Sequence, residues 1–164
     1  MFTKPMKAHV ARPMTGVVMF AVMFTAGACA GSNPEPETGT YTLPASLNPA
    51  VPTINAVNAE VPGLSQSQSI LGAGSLLGLA RMKMPANQYT QLTTAIPGSD
   101  ALINEATRLG LPGSALTDLA GVTNHLGQSG ISTDQINGMI RALDTGITGK
   151  VSPEVQNSFR SALR

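Results

Sequence analysis

A glycine-rich segment is the first stretch of this chain whose residues could do chemistry. Residues 72–78 have the sequence GAGSLLG, which superficially matches the glycine loops that hold nucleotide phosphates. Such a loop follows a β-strand in a βαβ unit, whereas the polar residues 66–69 precede this one. We therefore interpret the glycines as small residues that let two helices approach closely, with Gly74 and Gly78 on one helix face.

A histidine is the second candidate, because His125 is the only histidine beyond the N-terminal leader. It follows Asp118 by two helical turns, which places the pair about 10 Å apart, too far for a hydrogen bond. A metal site needs more ligands than these two side chains provide. We predict that His125 lies at the surface or half-buried near a helix end.

Serines and carboxylates give no further catalytic pattern. Residues 127–130, with the sequence GQSG, lack the second spacer of a nucleophile elbow, and no serine has a recognisable base partner. The carboxylates show no spacing that suggests glycoside hydrolysis. We predict no catalytic residue, no cofactor and no metal, and a chain that is not an enzyme.

Cys29 is the one residue for which the sequence predicts a modification. It is the only cysteine of the chain and follows Ala26, Gly27 and Ala28. This resembles the lipobox of bacterial lipoproteins, although those proteins prefer Leu where Ala26 stands. We predict lipid attachment at Cys29; the alternative is ordinary signal cleavage, which would leave a free thiol.

The residues before Cys29 have the pattern of a secretory signal peptide, predicted over residues 1–28. Basic side chains at Lys4, Lys7 and Arg12 precede an apolar run at 14–24, which is short for a membrane span. We therefore expect an exported protein of the cell envelope, anchored to the membrane by its lipid and facing the periplasm. The alternative is a soluble periplasmic or secreted protein.

The composition disfavours binding to nucleic acids. The 164 residues include 12% charged residues, against about 25% in average soluble domains, and 42% hydrophobic residues. The formal charge of +1 becomes −2 beyond the leader, because seven basic and nine acidic residues follow Cys29. The aromatic residues beyond the leader are only Tyr41, Tyr89 and Phe159, so stacking on bases or sugars is poorly supported.

Residues 29–52 are predicted to form a proline-rich, disordered linker that carries the lipidation site. Five prolines interrupt this stretch and no apolar period is present. A tether of this kind would separate a membrane anchor from a folded domain. The alternative is a disordered N-terminus without a role of its own.

From residue 53 to 164 the apolar spacing predicts a compact, all-α bundle of five or six short helices. No stretch alternates in the manner of a β-strand, and helices this short need partners to be stable in water. Apolar residues recur at intervals of three and four in the expected helices at 65–84, 85–96, 99–109, 116–126, 132–146 and 152–163, after a weak helix at 53–59.

Proline–glycine pairs are predicted to be the hinges between these helices. The pair Pro97 and Gly98 stops the incoming helix, and Ser99 is expected to cap the next helix through its side-chain oxygen. The same pattern recurs at residues 111–116 and, more weakly, at 61–65.

The helix expected at 132–146 has the clearest boundaries. Ser132 and Gln135 match a capping box at its start, and Gly146 is expected to end it. Pro153 then suits the first position of the last helix. The basic residues Arg81 and Lys83 are interpreted as compensation for a helix dipole.

From about Leu64 to Leu143 the chain resembles a bacterial family of unknown function, DUF2780, the VcgC/VcgE-like proteins. The residues that carry the resemblance are 71–80, 89–92, 95–102 and 130–132. The resemblance implies a helical, envelope-associated protein and brings no catalytic residues.

Two classes of function follow from these features. We predict a non-enzymatic envelope protein, tethered through Cys29, whose helical domain binds a protein partner or self-associates. The alternative is a periplasmic carrier or sensor of an apolar ligand, because short helices rich in Leu, Ala and Gly can enclose a lipid-sized cavity. A peptidoglycan-acting enzyme is a third, more remote possibility.

Overall fold

The computed structural model describes residues 41–164, and the signal peptide predicted at 1–28 lies outside them, as does Cys29. The described residues form seven α-helices and two 3-10 helices and contain no β-strand, which confirms the all-α prediction for this part of the chain. The predicted number of five or six helices is too low, because the segment expected to be only weakly helical at 53–59 forms a complete α-helix. The α-helices are α1 (Val51–Glu60), α2 (Gln66–Lys83), α3 (Ala86–Ala95), α4 (Ser99–Arg108), α5 (Leu119–Gln128), α6 (Thr133–Ile147) and α7 (Pro153–Ala162).

Helix α2 is the central element and is buried on all sides. Its twelve residues Ser69–Ala80 are all buried, and it contacts all six other α-helices, α4 most extensively. The sequence predicts a single apolar stripe on this helix, and that interpretation is wrong. Small residues occupy the faces between the leucines and leave room for neighbouring helices there, so α2 has no solvent-facing side along this stretch.

Glycines, which have no Cβ, allow the neighbouring helices to pack close to α2. A Cβ at Gly74 would lie 2.3 Å from the Leu102 carbonyl oxygen and 2.6 Å from the Ala106 Cβ, both on α4. A Cβ at Gly72 would lie 2.2 Å from the sulfur of Met139 on α6. The predicted role of the glycines in close helix approach is therefore confirmed at Gly74.

The hinge at Pro97 and Gly98 is present, but its capping differs from the prediction. Gly98 is the N-cap of α4 with a φ of +80°, a conformation that a Cβ disfavours. Ser99 consequently occupies the first helical position, where it is buried and makes no capping hydrogen bond. The predicted cap at Ser99 is thus wrong because the left-handed glycine takes that position.

The second predicted hinge leads into a 3-10 helix, Gly113–Thr117, and not directly into an α-helix. Helix α5 starts later, where Asp118 Oδ1 accepts a hydrogen bond from the Gly121 amide at 2.7 Å. The side chain of Ser114 has no capping role in this arrangement, because the tighter helix intervenes before the first turn of α5.

Two predicted helix ends lie too early along the chain. Gly127 and Gly146 are inside α5 and α6, which end one residue later, at Gln128 and Ile147. The glycines with positive φ after these two helices are Gly130, at +79°, and Gly149, at +75°. They make the turns that the sequence predicted at Gly127 and Gly146.

The capping box of α6 is confirmed. Ser132 Oγ accepts a hydrogen bond from the Gln135 amide at 3.3 Å, and Gln135 Oε1 accepts one from the Ser132 amide at 2.8 Å. A second capping box, which the sequence analysis did not identify, starts α2 at Ser65 and Gln68. Pro153 is the first residue of α7, as predicted.

The segment before α1 is folded, which corrects the predicted end of the linker at residue 52. Ala45–Ala50 form a 3-10 helix that continues directly into α1, and Leu47 and Ala50 are fully buried. Pro49 lies within this short helix and Pro52 lies in the first turn of α1, where a missing amide proton costs little. We call residues 41–50 the N-terminal strap.

A buried carboxylate holds the strap against α4. The Tyr41 hydroxyl donates a hydrogen bond to Glu105, which is 6% exposed. The Arg108 guanidinium donates two more through Nε and Nη2, at 2.9 and 2.8 Å. The hydrogen bond from Arg108 is the main reason that the pKa of Glu105 lies below its usual value, since burial acts in the opposite direction.

We predict that Gly74→Ala lowers the free energy of unfolding by about 1–3 kcal/mol, because the added methyl group forces α4 away from α2. Urea unfolding measures the change. Gly127→Ala is the matched control, because a Cβ there meets no atom within 4 Å. Equal stability of the two variants would contradict the proposed contact.

We predict that Glu105→Gln destabilises the fold by about 2 kcal/mol at neutral pH, because it weakens hydrogen bonds to a buried charge. A carboxyl group whose pKa is lowered by folding contributes stability above its unfolded pKa of about 4.3 and loses it as the pH falls through the folded value. The difference between wild type and variant should therefore shrink in acid.

Unfolding measured between neutral and acid pH tests this dependence. Glu154→Gln, which removes a carboxylate from an exposed position in α7, is the control for the change in net charge. A wild-type advantage over Glu105→Gln that stays constant down to the acid limit would contradict the role of Glu105.

Candidate interaction surface

The chain leaves the core where α2 ends. Helix α2 is buried up to Ala80, and the next three residues are exposed. Met84 has an extended conformation with a ψ of 150°, as expected for a residue that precedes proline, and α3 begins immediately after Pro85. We call Arg81–Pro85 the α2–α3 corner.

An exposed methionine stands at this corner. Met82 is 70% exposed and is the only large hydrophobic side chain with such exposure among residues 41–164. An exposed apolar residue is common on protein surfaces by itself. Met82 differs because it lies between two cations, Arg81 and Lys83, that line two separate grooves.

The two grooves have similar sizes and polar linings. The first, of about 370 Å³, lies between the end of α2, α3 and the start of α4, and its lining includes Arg81, Met84, Tyr89, Thr90, Thr93 and Asp100. The second, of about 340 Å³, lies between the corner and α7 and is lined by Lys83, Pro85, Asn157, Ser158, Ser161 and Ala162. Each groove therefore combines one cation of the corner with neutral hydrogen-bonding groups, and the first groove also contains the carboxylate of Asp100.

The cations of the corner are weakly engaged within the domain. Arg81 Nη1 lies 3.7 Å from Asp100 Oδ1, and both side chains are more than half exposed. Exposed pairs of this kind contribute about 0–1 kcal/mol to stability. Lys83 forms no ion pair with any carboxylate of residues 41–164. Both side chains are thus available to another molecule.

Tyr89 lies in the lining of the first groove and carries a buried hydroxyl. No described residue forms a well-aligned hydrogen bond with this oxygen, although the Ser99 side chain lies close enough to lower its pKa slightly. Burial, and then the negative charge of Asp100, raise the pKa of Tyr89 to about 12. The phenol is therefore neutral at physiological pH and does not add charge to the groove.

The residues that the sequence analysis singled out for chemistry do not converge. His125 is half-buried in the last turn of α5, as predicted, while the Asp118 carboxylate caps the start of that helix. Residues 72–78 lie inside α2 and form no phosphate-binding loop. Within residues 41–164, no three His, Cys, Asp or Glu side chains are grouped as a metal site would require.

None of the helices within residues 41–164 combines the length and the hydropathy that crossing a bilayer requires.

The corner was not predicted from the sequence, because Arg81 and Lys83 were interpreted as compensation for the helix dipole. A usable signal was present, since Met82 falls off the apolar positions at Leu77, Ala80 and Met84. An apolar residue on the polar side of a helix end, flanked by two cations, is a pattern that could have identified this surface.

Comparison with protein families gives a match across the helical domain. The model of the protein of unknown function VcgC/VcgE (DUF2780) matches residues 38–159. The chain belongs to this family. The VcgC/VcgE match extends the resemblance seen at residues 64–143 in both directions and includes the strap. Searches among curated proteins and among solved structures gave no match.

Proposed function

We propose that this chain is a non-enzymatic protein of the cell envelope, held at the membrane by a lipid on Cys29, whose helical domain binds a protein partner at the α2–α3 corner. The observation that carries the proposal is the exposure of Met82 between Arg81 and Lys83, above two grooves. Methionine and arginine are enriched in protein interfaces, and polar groups surround the apolar centre.

The proposed anchor is compatible with the position of the strap. The first described residue, Tyr41, follows Cys29 by twelve residues, which span about 40 Å when fully extended. A tether of this maximum length would let the domain meet partners at or near the membrane surface. The leader pattern and the single cysteine at its end support export and lipidation.

The alternative, a carrier of an apolar ligand, has less support. A mainly apolar cavity lies between α1, the hinge at Pro97 and α6, and its volume is about 110 Å³. Pockets for drug-sized ligands occupy about 300–1,000 Å³, so a lipid chain would require these helices to separate. The two larger grooves flank the corner, and they favour an interaction surface.

Site-specific photo-crosslinking in cells tests the proposed surface. A photoreactive residue at Met82 should give discrete crosslinked species, because this side chain lies at the centre of the interface. The same residue at Asp134, which is exposed in the first turn of α6, is the control. Identical crosslinking at both positions, or none at Met82, would contradict the proposed surface.

The same preparations test the anchor. The intact mass of the membrane-extracted protein should correspond to a chain that begins at Cys29 and carries acyl groups. An unmodified chain, or one cleaved at another residue, would contradict lipidation without affecting the result for the interaction surface.

A further inference from the structure

We propose that the partner segment bound at the α2–α3 corner is an acidic peptide, with an apolar side chain packed on Met82 and carboxylates paired with Arg81 and Lys83. This inference rests on the proposed function and specifies the chemistry of the partner. Three observations support the proposed acidic peptide. They are charge complementarity, the exposed thioether of Met82 and the two grooves that flank the corner.

Positive charge is unevenly neutralised over the domain. Three arginines elsewhere have a carboxylate at 2.8–3.3 Å, and these are Arg108, Arg141 and Arg160. At the corner, Arg81 has only a long contact of 3.7 Å and Lys83 forms no ion pair with the described residues. Lys150 and Arg164 also form no ion pair with the described residues. The corner differs from them because its cations flank the exposed Met82.

The grooves provide additional hydrogen-bonding groups for an extended segment. Helix positions two residues apart point in nearly opposite directions, which explains why Arg81 and Lys83 line different grooves. On one side, a peptide that crosses the corner at Met82 can donate its amides to the hydroxyl oxygens of Thr90 and Thr93, whose own protons go to carbonyls of α3. On the other side it can reach the Asn157 amide and the hydroxyls of Ser158 and Ser161.

An anionic membrane surface is the competing occupant, since two cations and an exposed methionine would also contact lipid headgroups. The grooves favour the peptide, because their hydroxyl and amide groups lie where a peptide can enter and where a flat bilayer surface makes fewer contacts. The carboxylate of Asp100, beside Arg81, opposes either anion and does not distinguish between them.

Fluorescence anisotropy with the full mature chain tests the proposal. The probe is a labelled peptide in which glutamate and leucine alternate, and the comparison probe has lysine in place of glutamate. We expect only the acidic peptide to bind. Lys83→Glu should weaken its binding about tenfold, because an attraction becomes a repulsion, and added salt should weaken it further.

Lys150→Glu is the matched control, because it changes the net charge equally at an exposed lysine after α6 and should leave binding unchanged. Met82→Ser should weaken binding without changing its salt dependence. Equal binding of both peptides, no binding of the acidic peptide, or equal losses in Lys83→Glu and Lys150→Glu would overturn the proposal. Vesicles of phosphatidylglycerol that bind in a Lys83-dependent manner, in place of the peptide, would assign the corner to the membrane.

Crosslinking at Met82 in the Lys83→Glu background distinguishes the acidic nature of the partner from the existence of the interaction surface. Loss of the discrete crosslinked species supports an acidic partner. Crosslinks that persist unchanged would overturn the acidic partner while the proposed interaction surface stands. Absence of crosslinks in the wild-type chain would reject the surface itself.

Discussion

The close contact between α2 and α4 at Gly74 is the constraint on which the rest of this fold depends. With no Cβ at this position, the backbone of α4 approaches α2 directly, and α2 can be surrounded by the six other α-helices. Fully buried leucine and isoleucine side chains each contribute about 1.5–3 kcal/mol, and α2 supplies four of them. The candidate interaction surface begins at Arg81, where this buried helix reaches the surface.

Helix α4 connects the core with both the strap and the corner. Leu102 and Ala106 face Gly74, whereas Glu105 holds the strap through Tyr41. At the other end of α4, Asp100 lies in the lining of the first groove, beside Arg81. One short helix thus contacts α2, the strap and one side of the corner. The geometry of the candidate surface therefore depends on how the core packs.

The sequence predicted the elements better than their environments. The apolar spacing and the capping box at Ser132 give correct helices because both depend on residues a few positions apart. The contact between Tyr41 and Glu105 joins residues 64 positions apart, so no local pattern reports it. The burial of α2 on every side was missed because its glycines and alanines were judged by hydropathy, whereas their effect comes from their small size.

Two further predictions were wrong because the residue types concerned are compatible with more than one local structure. Prolines were taken to exclude helix before residue 53, although Pro49 and Pro52 occupy positions where a helix tolerates them. Ser99 has the residue type of a cap, but Gly98 takes that position because only its backbone turns the chain. The corner was missed for a similar reason, since cations at a helix end satisfy the dipole and can also bind a partner.

Amide hydrogen exchange followed by NMR tests the central claim most directly, because it measures the opening free energy of each helix separately. If α2 is the core around which all other helices pack, the amides of Ile70–Ala80 should exchange only through global unfolding, more slowly than those of α3 and α7. Exchange of these α2 amides at an opening free energy equal to or lower than that of α3 or α7 would contradict the account.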